Sequence, residues 1–353
     1  MTTASPIGSP FHCLEADAAV WLADRAAPLV VCANDPPWSS FSASLRAEVA
    51  AVVPAWNMDV DHLEAQVAAT REASDPDHLA RAVVVGFGGG TALDTAKFVA
   101  WRLGRPLVQI PTITSVDAGF TDAIGVRVDG QVRYIGRLEP EVVLLDLPLI
   151  RSAPRRFNRA GIGDILSCHT GLFDWRLASS AGHGHPWNEE LATLGAQLLD
   201  ELEAAVPEVF AVSEAGVRFL ADAYRRIGAA CAWAGHSRFE EGSEHFWAYS
   251  FEHATGAHPV HGEIIAFATC ALSHVQGNDP DRAHRICSAS GVRAHPDDLG
   301  VAEGVFAEAL TGLAHYSRSN GLDIAVADLR PITPTHVAAA WGFVNTLPRR
   351  GAD

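Results

Sequence analysis

The sequence lacks the features of a membrane, a secreted or a nucleic-acid-binding protein. No run reaches the roughly 18 apolar residues that a membrane-spanning helix requires, and the N-terminus has no basic segment followed by an apolar one. Basic residues are few: 26 Lys and Arg face 42 Asp and Glu, and the net charge of −16 disfavours nucleic acid and anionic membranes as partners. We therefore expect a cytoplasmic protein that binds a small molecule.

Paired cysteines are also missing, since the six cysteines are scattered without a CxxC spacing. This distribution predicts reduced thiols and argues against a disulfide framework or a structural zinc site. The 353 residues are many for one hydrophobic core, so we expect two domains. Strand patterns fade after about residue 148, which predicts an α/β domain over residues 1–149 and an all-α domain over residues 150–353. Residues 38–80 are predicted to be helical, with a short strand over residues 56–60.

The most informative stretch is residues 81–97, RAVVVGFGGGTALDTAK. Its apolar run predicts a buried strand, its glycines a turn, and the apolar residues at helical spacing that follow predict a helix. Free N–H groups at such a helix start bind phosphate, and glycine lets the phosphate approach closely. Three consecutive glycines, Gly88, Gly89 and Gly90, exceed what a plain turn needs, so we predict nucleotide binding. The stretch matches neither GxGxxG nor the phosphate loop that ends in Gly-Lys-Ser/Thr.

Polar residues after two other predicted strands are further candidates for ligand contacts. Thr112, Ser115 and Asp117 follow the strand predicted over residues 107–110, at the edge where open α/β sheets bind ligands. Asp35 follows an earlier strand and is a candidate for binding a cofactor ribose. An Asp before Pro-Pro also fits an ordinary turn, so both interpretations of Asp35 stay open.

Three predicted helices of the second domain carry candidate metal ligands. Asp164 lies in an otherwise apolar helical run, where a carboxylate is costly unless it is paired or binds a cation. His245 lies on a helix that Ser243 could cap, and His261 begins another helix. One Asp and two His leave an open coordination position, as at a catalytic divalent metal. Alternatively, each histidine is an ordinary core or surface residue, since the chain has 16.

Four motifs carry a resemblance to a known family: GGGxxxDxAK over residues 88–97, AGIGDILS over 160–167, GSEH over 242–245 and HGE over 261–263. Together they resemble the sn-glycerol-1-phosphate dehydrogenases, a branch of the iron-containing alcohol dehydrogenase and dehydroquinate synthase-like superfamily. The resemblance implies an α/β N-terminal dinucleotide-binding domain followed by an all-α metal-binding domain. It also implies hydride transfer between NAD or NADP and a polyol or ketose, with one divalent metal: zinc first, iron or nickel as alternatives.

The resemblance further implies roles for single residues. Asp164, His245 and His261 match the metal ligands of the family, and Asp164 and Asp117 match residues that contact substrate. The residues that match cofactor contacts are Gly88, Gly89, Gly90, Asp94, Thr112, Ser115 and Thr121.

The sequence departs from the resembled family where the substrate would bind. Tyr249, one helical turn after His245, stands where that family has a substrate-contacting histidine, so we predict a catalytic-site role for it. Phe239-Glu240-Glu241 replaces small residues, and its two carboxylates near Arg238 would repel a phosphate. These departures predict that the hydride-transfer machinery is retained while the substrate differs.

Two other functions stay open at this point. A dehydroquinate synthase-like cyclase or lyase would oxidise its substrate only transiently, without net NADH formation, although few arginines surround the motifs. The second alternative is a protein that binds a cofactor or metal without catalysing a reaction.

We expect the protein to be a homo-oligomer.

Overall fold

The structure, a computed structural model, describes residues 12–351. Backbone contacts divide these residues into two units. The first runs to Ala153 and also includes Tyr224–Trp233, while the second consists of Pro154–Ala223 and the described chain from Ala234 onward. No helix within residues 12–351 is long and apolar enough to cross a membrane.

The first unit is built on a parallel β-sheet. The strands of the unit are β1 (Cys13–Glu15), β2 (Leu29–Ala33), β3 (Val49–Pro54), β4 (Val83–Gly88), β5 (Leu107–Pro111), β6 (Ala123–Val128), β7 (Gln131–Arg137) and β8 (Val142–Leu145). Six of them form a sheet in the order β1-β8-β5-β4-β2-β3, with every neighbouring pair parallel. The strands β2, β4, β5 and β8 are buried throughout, as expected where both faces of a sheet are covered.

Helices and a hairpin complete the first unit. The helices are α1 (Ala18–Ala23), α2 (Pro37–Ser42), α3 (Val60–Ala73), α4 (Pro76–Arg81), α5 (Gly90–Leu103) and α6 (Leu147–Ser152). The strands β6 and β7 pair antiparallel around Asp129 and Gly130, which both have the positive φ typical of a tight hairpin turn. Two apolar clusters, one containing Val84 and Phe98 and the other Val85 and Ile110, form the core.

The prediction for residues 38–80 is partly wrong. Helices α2, α3 and α4 do form there, but the strand is Val49–Pro54 and not residues 56–60. The strand β3 is at the edge of the sheet and most of its residues are exposed or half-buried. Because it is short, rich in alanine and without a clear alternation, its pattern resembles the helices on either side.

In the second unit, every regular element that the structure describes is helical. Its α-helices are α7 (Arg155–Arg159), α8 (Gly163–Leu166), α9 (Cys168–Ser180), α10 (Glu189–Ala211), α11 (Glu214–Ala234), α12 (Ser243–Thr255), α13 (His261–Gln276), α14 (Pro280–Ser290), α15 (Pro296–Leu299), α16 (Glu303–Thr311), α17 (Leu313–Ser319), α18 (Val326–Leu329) and α19 (Pro334–Val344). Of α11, the part Tyr224–Trp233 belongs to the first unit. The last helix, α19, begins with Thr333 as its cap and Pro334 in its first turn. An α/β part followed by a helical part confirms the predicted fold class.

A buried carboxylate, Asp174 of α9, ties three segments of the second unit together. It accepts hydrogen bonds at 2.7 Å from the backbone N–H of Ser243 and at 2.7 Å from that of Val326. Burial, together with the charge of Glu244, raises its pKa to about 6. The predicted cap by Ser243 is wrong: Gly242 is the N-cap of α12, and the Ser243 N–H is satisfied by Asp174 instead. Asp174 thus fixes the start of the helix that carries His245.

Candidate metal centre and cofactor loop

Three side chains of the second unit form a group that fits a divalent metal ion. Asp164 lies in α8, His245 in the first turn of α12 and His261 at the start of α13, and one ligand atom from each lies within 4.8 Å of the others. The distance from His261 Nε2 to Asp164 Oδ1 is 3.3 Å. Two ligands of a tetrahedral zinc ion, each about 2.0 Å from the metal, are about 3.3 Å apart. The donor types and their spacing therefore fit such an ion.

A close backbone contact sets the distance between two of these residues. A Cβ atom on Gly163 would lie only 2.5 Å from the Cα atom and from the carbonyl oxygen of Gly262. Only glycine allows α8 and α13 to approach each other this closely. Asp164 directly follows Gly163, and His261 directly precedes Gly262, so the contact places their side chains at the same point.

A second buried carboxylate orients His245. Glu244 is fully buried, and its Oε1 accepts hydrogen bonds from Gly242 N at 2.6 Å and from His245 Nδ1 at 2.8 Å. With Nδ1 engaged, Nε2 is the nitrogen available to a cation, and carboxylate–histidine pairs of this kind are common beside metals. We assigned no role to Glu244 from the sequence, where its position directly before His245 was the available signal.

The charges around His245 favour a cation. Burial alone would lower the pKa of the imidazole, but the hydrogen bond and charge of Glu244, with the charges of Glu241 and Asp164, raise the pKa to about 9. These charges favour the protonated ring when no metal ion is bound, and a metal ion binds at this group in competition with the proton.

Tyr249 lies one turn after His245 on α12, and the two ring centroids are 6.0 Å apart. Its side chain is buried, and its hydroxyl donates a hydrogen bond to Glu241 Oε1 at 2.7 Å. The side chain is therefore next to the group of candidate ligands. Its catalytic role stays a prediction.

In the first unit, the glycine stretch joins a buried strand to a helix. The strand β4 ends at Gly88 and α5 begins at Gly90, and no side chain caps the helix. The first N–H groups of an uncapped helix are suited to binding an anion. Gly88 has φ of +150°, and a Cβ atom there would lie 2.1 Å from Asn34 Oδ1. Both facts require glycine at position 88. The packing of the protein therefore explains one of the three consecutive glycines by itself.

The predicted residues after β5 lie beside this turn. Gly88 is paired with Pro111 in the sheet, and the Thr112 N–H donates to the Gly88 carbonyl oxygen at 2.9 Å. Thr112 and Ser115 are buried, and Asp117 opens a short 3-10 turn, Asp117–Phe120. The carboxyl ends of β4 and β5 therefore bring these polar residues and the glycines to one edge of the sheet, as the sequence predicts.

Asp35 is exposed and accepts hydrogen bonds from Ser39 N at 3.0 Å and Ser39 Oγ at 2.6 Å. These bonds lower its pKa. They fit the alternative interpretation of Asp35 as a turn residue, and its contact with a cofactor stays a prediction.

A buried lysine supports two other predicted cofactor residues. Lys97 of α5 is 1% exposed, and its Nζ lies 2.7 Å from Asp94 Oδ1, 3.1 Å from Thr121 Oγ1 and 2.7 Å from the Ala123 carbonyl oxygen. The three donors of the ammonium group thus meet three acceptors, and these contacts offset the cost of burying its charge. We assigned no role to Lys97 from the sequence, although it is the only lysine in the 353 residues.

Comparison with known proteins assigns the family. A sequence profile of iron-containing alcohol dehydrogenases matches residues 38–154. The NAD(P)+ glycerol-1-phosphate dehydrogenase of Hyperthermus butylicus is 34% identical over 242 residues, 67% of this chain and 67% of that protein. The corresponding enzyme of Methanothrix thermoacetophila is 30% identical over 251 residues, 69% of this chain and 70% of that protein. The chain belongs to the glycerol-1-phosphate dehydrogenase-like branch of the iron-containing alcohol dehydrogenase superfamily.

Solved structures show the same fold in this superfamily. A probable glycerol dehydrogenase from Sinorhizobium meliloti has a TM-score of 0.71 at 22% identity, covering 96% of this chain and 97% of its own. The glycerol dehydrogenase from Schizosaccharomyces pombe has a TM-score of 0.67 at 18% identity, covering 93% of this chain and 90% of its own. Sequence identities this low support a similarity of fold alone. Membership of the superfamily confirms the resemblance drawn from the motifs.

The contact at Gly163 can be tested by adding one methyl group. Gly163→Ala should push α8 and α13 apart, because its Cβ has no space, and should cost about 1–3 kcal/mol of unfolding free energy and weaken zinc binding at least tenfold. Zinc affinity by competition with a chelator and urea unfolding measure the two effects. Gly342→Ala is the matched control, since its Cβ meets nothing within 4 Å and it lies in a helix. Unchanged zinc affinity in Gly163→Ala would contradict the positioning role.

The support from Lys97 can be tested with Lys97→Met. The variant removes the ion pair of Lys97 with Asp94 and its hydrogen bond to the Ala123 carbonyl, so it should lower the unfolding free energy by about 2–4 kcal/mol. At a temperature where it is folded, it should bind NAD(H) or NADP(H) several-fold more weakly, with unchanged zinc content. Arg102→Met on the same helix removes a partly exposed ion pair with Glu64 and should cost about 1 kcal/mol or less. Cofactor affinity equal to that of the parent would show that Lys97 acts on stability alone.

Proposed function

We propose that the chain is a metal- and NAD(P)-dependent dehydrogenase that transfers hydride between the nicotinamide and a polyol or ketose. The observation that carries this proposal is the group formed by Asp164, His245 and His261, with one ligand atom of each within 4.8 Å of the others. The names of the relatives, NAD(P)+ glycerol-1-phosphate dehydrogenases, support the reaction and the cofactor.

The second unit supplies the metal ligands in this proposal. Asp164, His245 through Nε2, and His261 would hold one divalent ion and leave a position open to the substrate. When bound, the ion supplies Lewis acidity that lowers the pKa of a substrate hydroxyl or polarises a ketone. We favour zinc because an Asp-His-His set suits it, with iron and nickel as alternatives. Glu244 keeps the His245 ring in the orientation that binding needs.

The first unit supplies the nucleotide site. The N-terminus of α5 and the glycines Gly88, Gly89 and Gly90 would receive the pyrophosphate of NAD or NADP, since helix N–H groups stabilise an anion there. The other proposed cofactor contacts are Asp94, Thr112, Ser115, Thr121 and Asp35. Asp117, Asp164 and Tyr249 are proposed to contact the substrate. Hydride transfer then depends on holding the substrate carbon beside the nicotinamide.

The proposal also covers the domains of the protein, its location in the cell, its oligomeric state and its partners. Residues 1–149 form the dinucleotide-binding domain and residues 150–353 the metal and substrate domain. The protein acts in the cytoplasm as a homo-oligomer on a small molecule, and neither nucleic acid nor a membrane is its partner.

His261→Ala tests the metal ligands and the reaction together. The variant should lose zinc affinity by roughly 10²-fold or more and lose most of its activity, while NAD(H) affinity stays within a factor of about two. Zinc content by elemental analysis, cofactor titration and NADH absorbance with a panel of polyols and ketones measure these quantities. His253→Ala, an exposed histidine on α12, is the control and should match the parent.

Two results would contradict the proposal in different ways. Full activity and full metal content in His261→Ala would remove this residue from the ligand set. Consumption of a phosphorylated sugar acid without net NADH formation would instead indicate a cyclase or lyase of the dehydroquinate synthase kind.

A further inference from the structure

The turn before α12 is held rigidly inside the second unit. The N–H groups of Glu240 and Glu241 both donate to the Ser237 carbonyl oxygen, at 2.9 and 2.8 Å. Arg238 is 2% exposed and donates to the carbonyl oxygens of Glu241 at 3.1 Å and Ile324 at 2.8 Å. The backbone of this turn is therefore fixed by buried hydrogen bonds, and the side chains on it have defined positions.

The Glu241 carboxylate is held by two hydroxyl groups. Its Oε1 accepts from Tyr249 OH at 2.7 Å, and its Oε2 accepts from Ser237 Oγ at 2.5 Å. Hydroxyl donors orient a carboxylate without neutralising its charge. A carboxylate has about four lone-pair positions, so these two bonds leave capacity for a further hydrogen-bond donor.

This carboxylate belongs to the surroundings of the metal group. Tyr249, its partner, has its ring 6.0 Å from that of His245, and the charge of Glu241 acts on His245. Asp164 and Glu244 are also carboxylates in contact with the histidines. Glu241 therefore adds a third carboxylate to the two that contact the histidines. A phosphate group brought beside Glu241 would be repelled by its charge, whereas a hydroxyl group would find an acceptor.

We propose that Glu241, held by Tyr249 and Ser237, is a specificity-determining residue that selects uncharged polyols and ketones against their phosphate esters. The inference rests on the proposed function and adds the class of substrate to it. A preference for uncharged substrates would distinguish this chain from the relatives that are named glycerol-1-phosphate dehydrogenases.

Glu241→Gln tests the inference, because glutamine keeps the size of the side chain and an acceptor for Tyr249 while removing the charge. Glycerol and dihydroxyacetone, each compared with its monophosphate, are the probes. Binding to the zinc-loaded protein with NAD(H) is measured by calorimetry, and kcat/KM by NADH absorbance. The parent should prefer the uncharged member of each pair. In Glu241→Gln, the ratio of phosphate ester to uncharged compound should rise at least tenfold, with unchanged zinc content.

Two further variants make the test specific. Tyr249→Phe removes one of the two donors that hold the carboxylate, so it should shift the ratio in the same direction by a smaller factor. Glu303→Gln removes an exposed charge from the first turn of α16 and should leave the ratio unchanged. An equal shift in Glu303→Gln would mean that net charge, and not Glu241, sets the preference.

The experiments distinguish a failure of the Glu241 inference from a failure of the proposed dehydrogenase reaction. A parent protein that binds or turns over the phosphate esters better, or a Glu241→Gln variant with an unchanged ratio, overturns the inference even if NADH forms as proposed. The predicted change in binding ratio without any NADH formation supports selection by Glu241 and contradicts the proposed dehydrogenase reaction.

Discussion

The candidate metal centre depends on the contact between the backbones of α8 and α13. Gly163 has no room for a Cβ atom against Gly262, so the two helices meet at a separation that side chains would prevent. The next residue on one helix is Asp164, and the preceding residue on the other is His261. A short helix of four residues, α8, could not hold a carboxylate in place by itself. The glycine contact gives it a fixed partner.

Buried carboxylates make the same region a site for a cation. Asp174 satisfies the Ser243 N–H at the start of α12, and Glu244 binds the Gly242 N–H and His245 Nδ1. Both groups hold the start of the helix, and Glu244 also places negative charge beside the histidine. Burial of such charge is costly unless a cation offsets it, and a bound metal would do so. Stability of the fold and affinity for a metal are thus linked through the same side chains.

Sequence patterns predicted the elements with strong periodicity and the residues with distinctive chemistry. The apolar run before Gly88 and the helical spacing after it predicted β4 and α5, and residue type selected Asp164, His245 and His261. The edge strand β3 was missed because its composition resembles that of the neighbouring helices. Lys97, Glu244 and the Gly163–Gly262 contact were missed because their roles depend on which residues become neighbours in three dimensions. Local patterns carry no information about that.

The central claim is that Asp164, His245 and His261 together hold a divalent metal. The most direct measurement is X-ray diffraction from zinc-loaded crystals at energies above and below the zinc absorption edge. We expect an anomalous difference peak about 2.0–2.2 Å from a carboxylate oxygen of Asp164, from His245 Nε2 and from a ring nitrogen of His261. A peak elsewhere, or none at these residues after saturation with zinc, iron or nickel, would contradict the account.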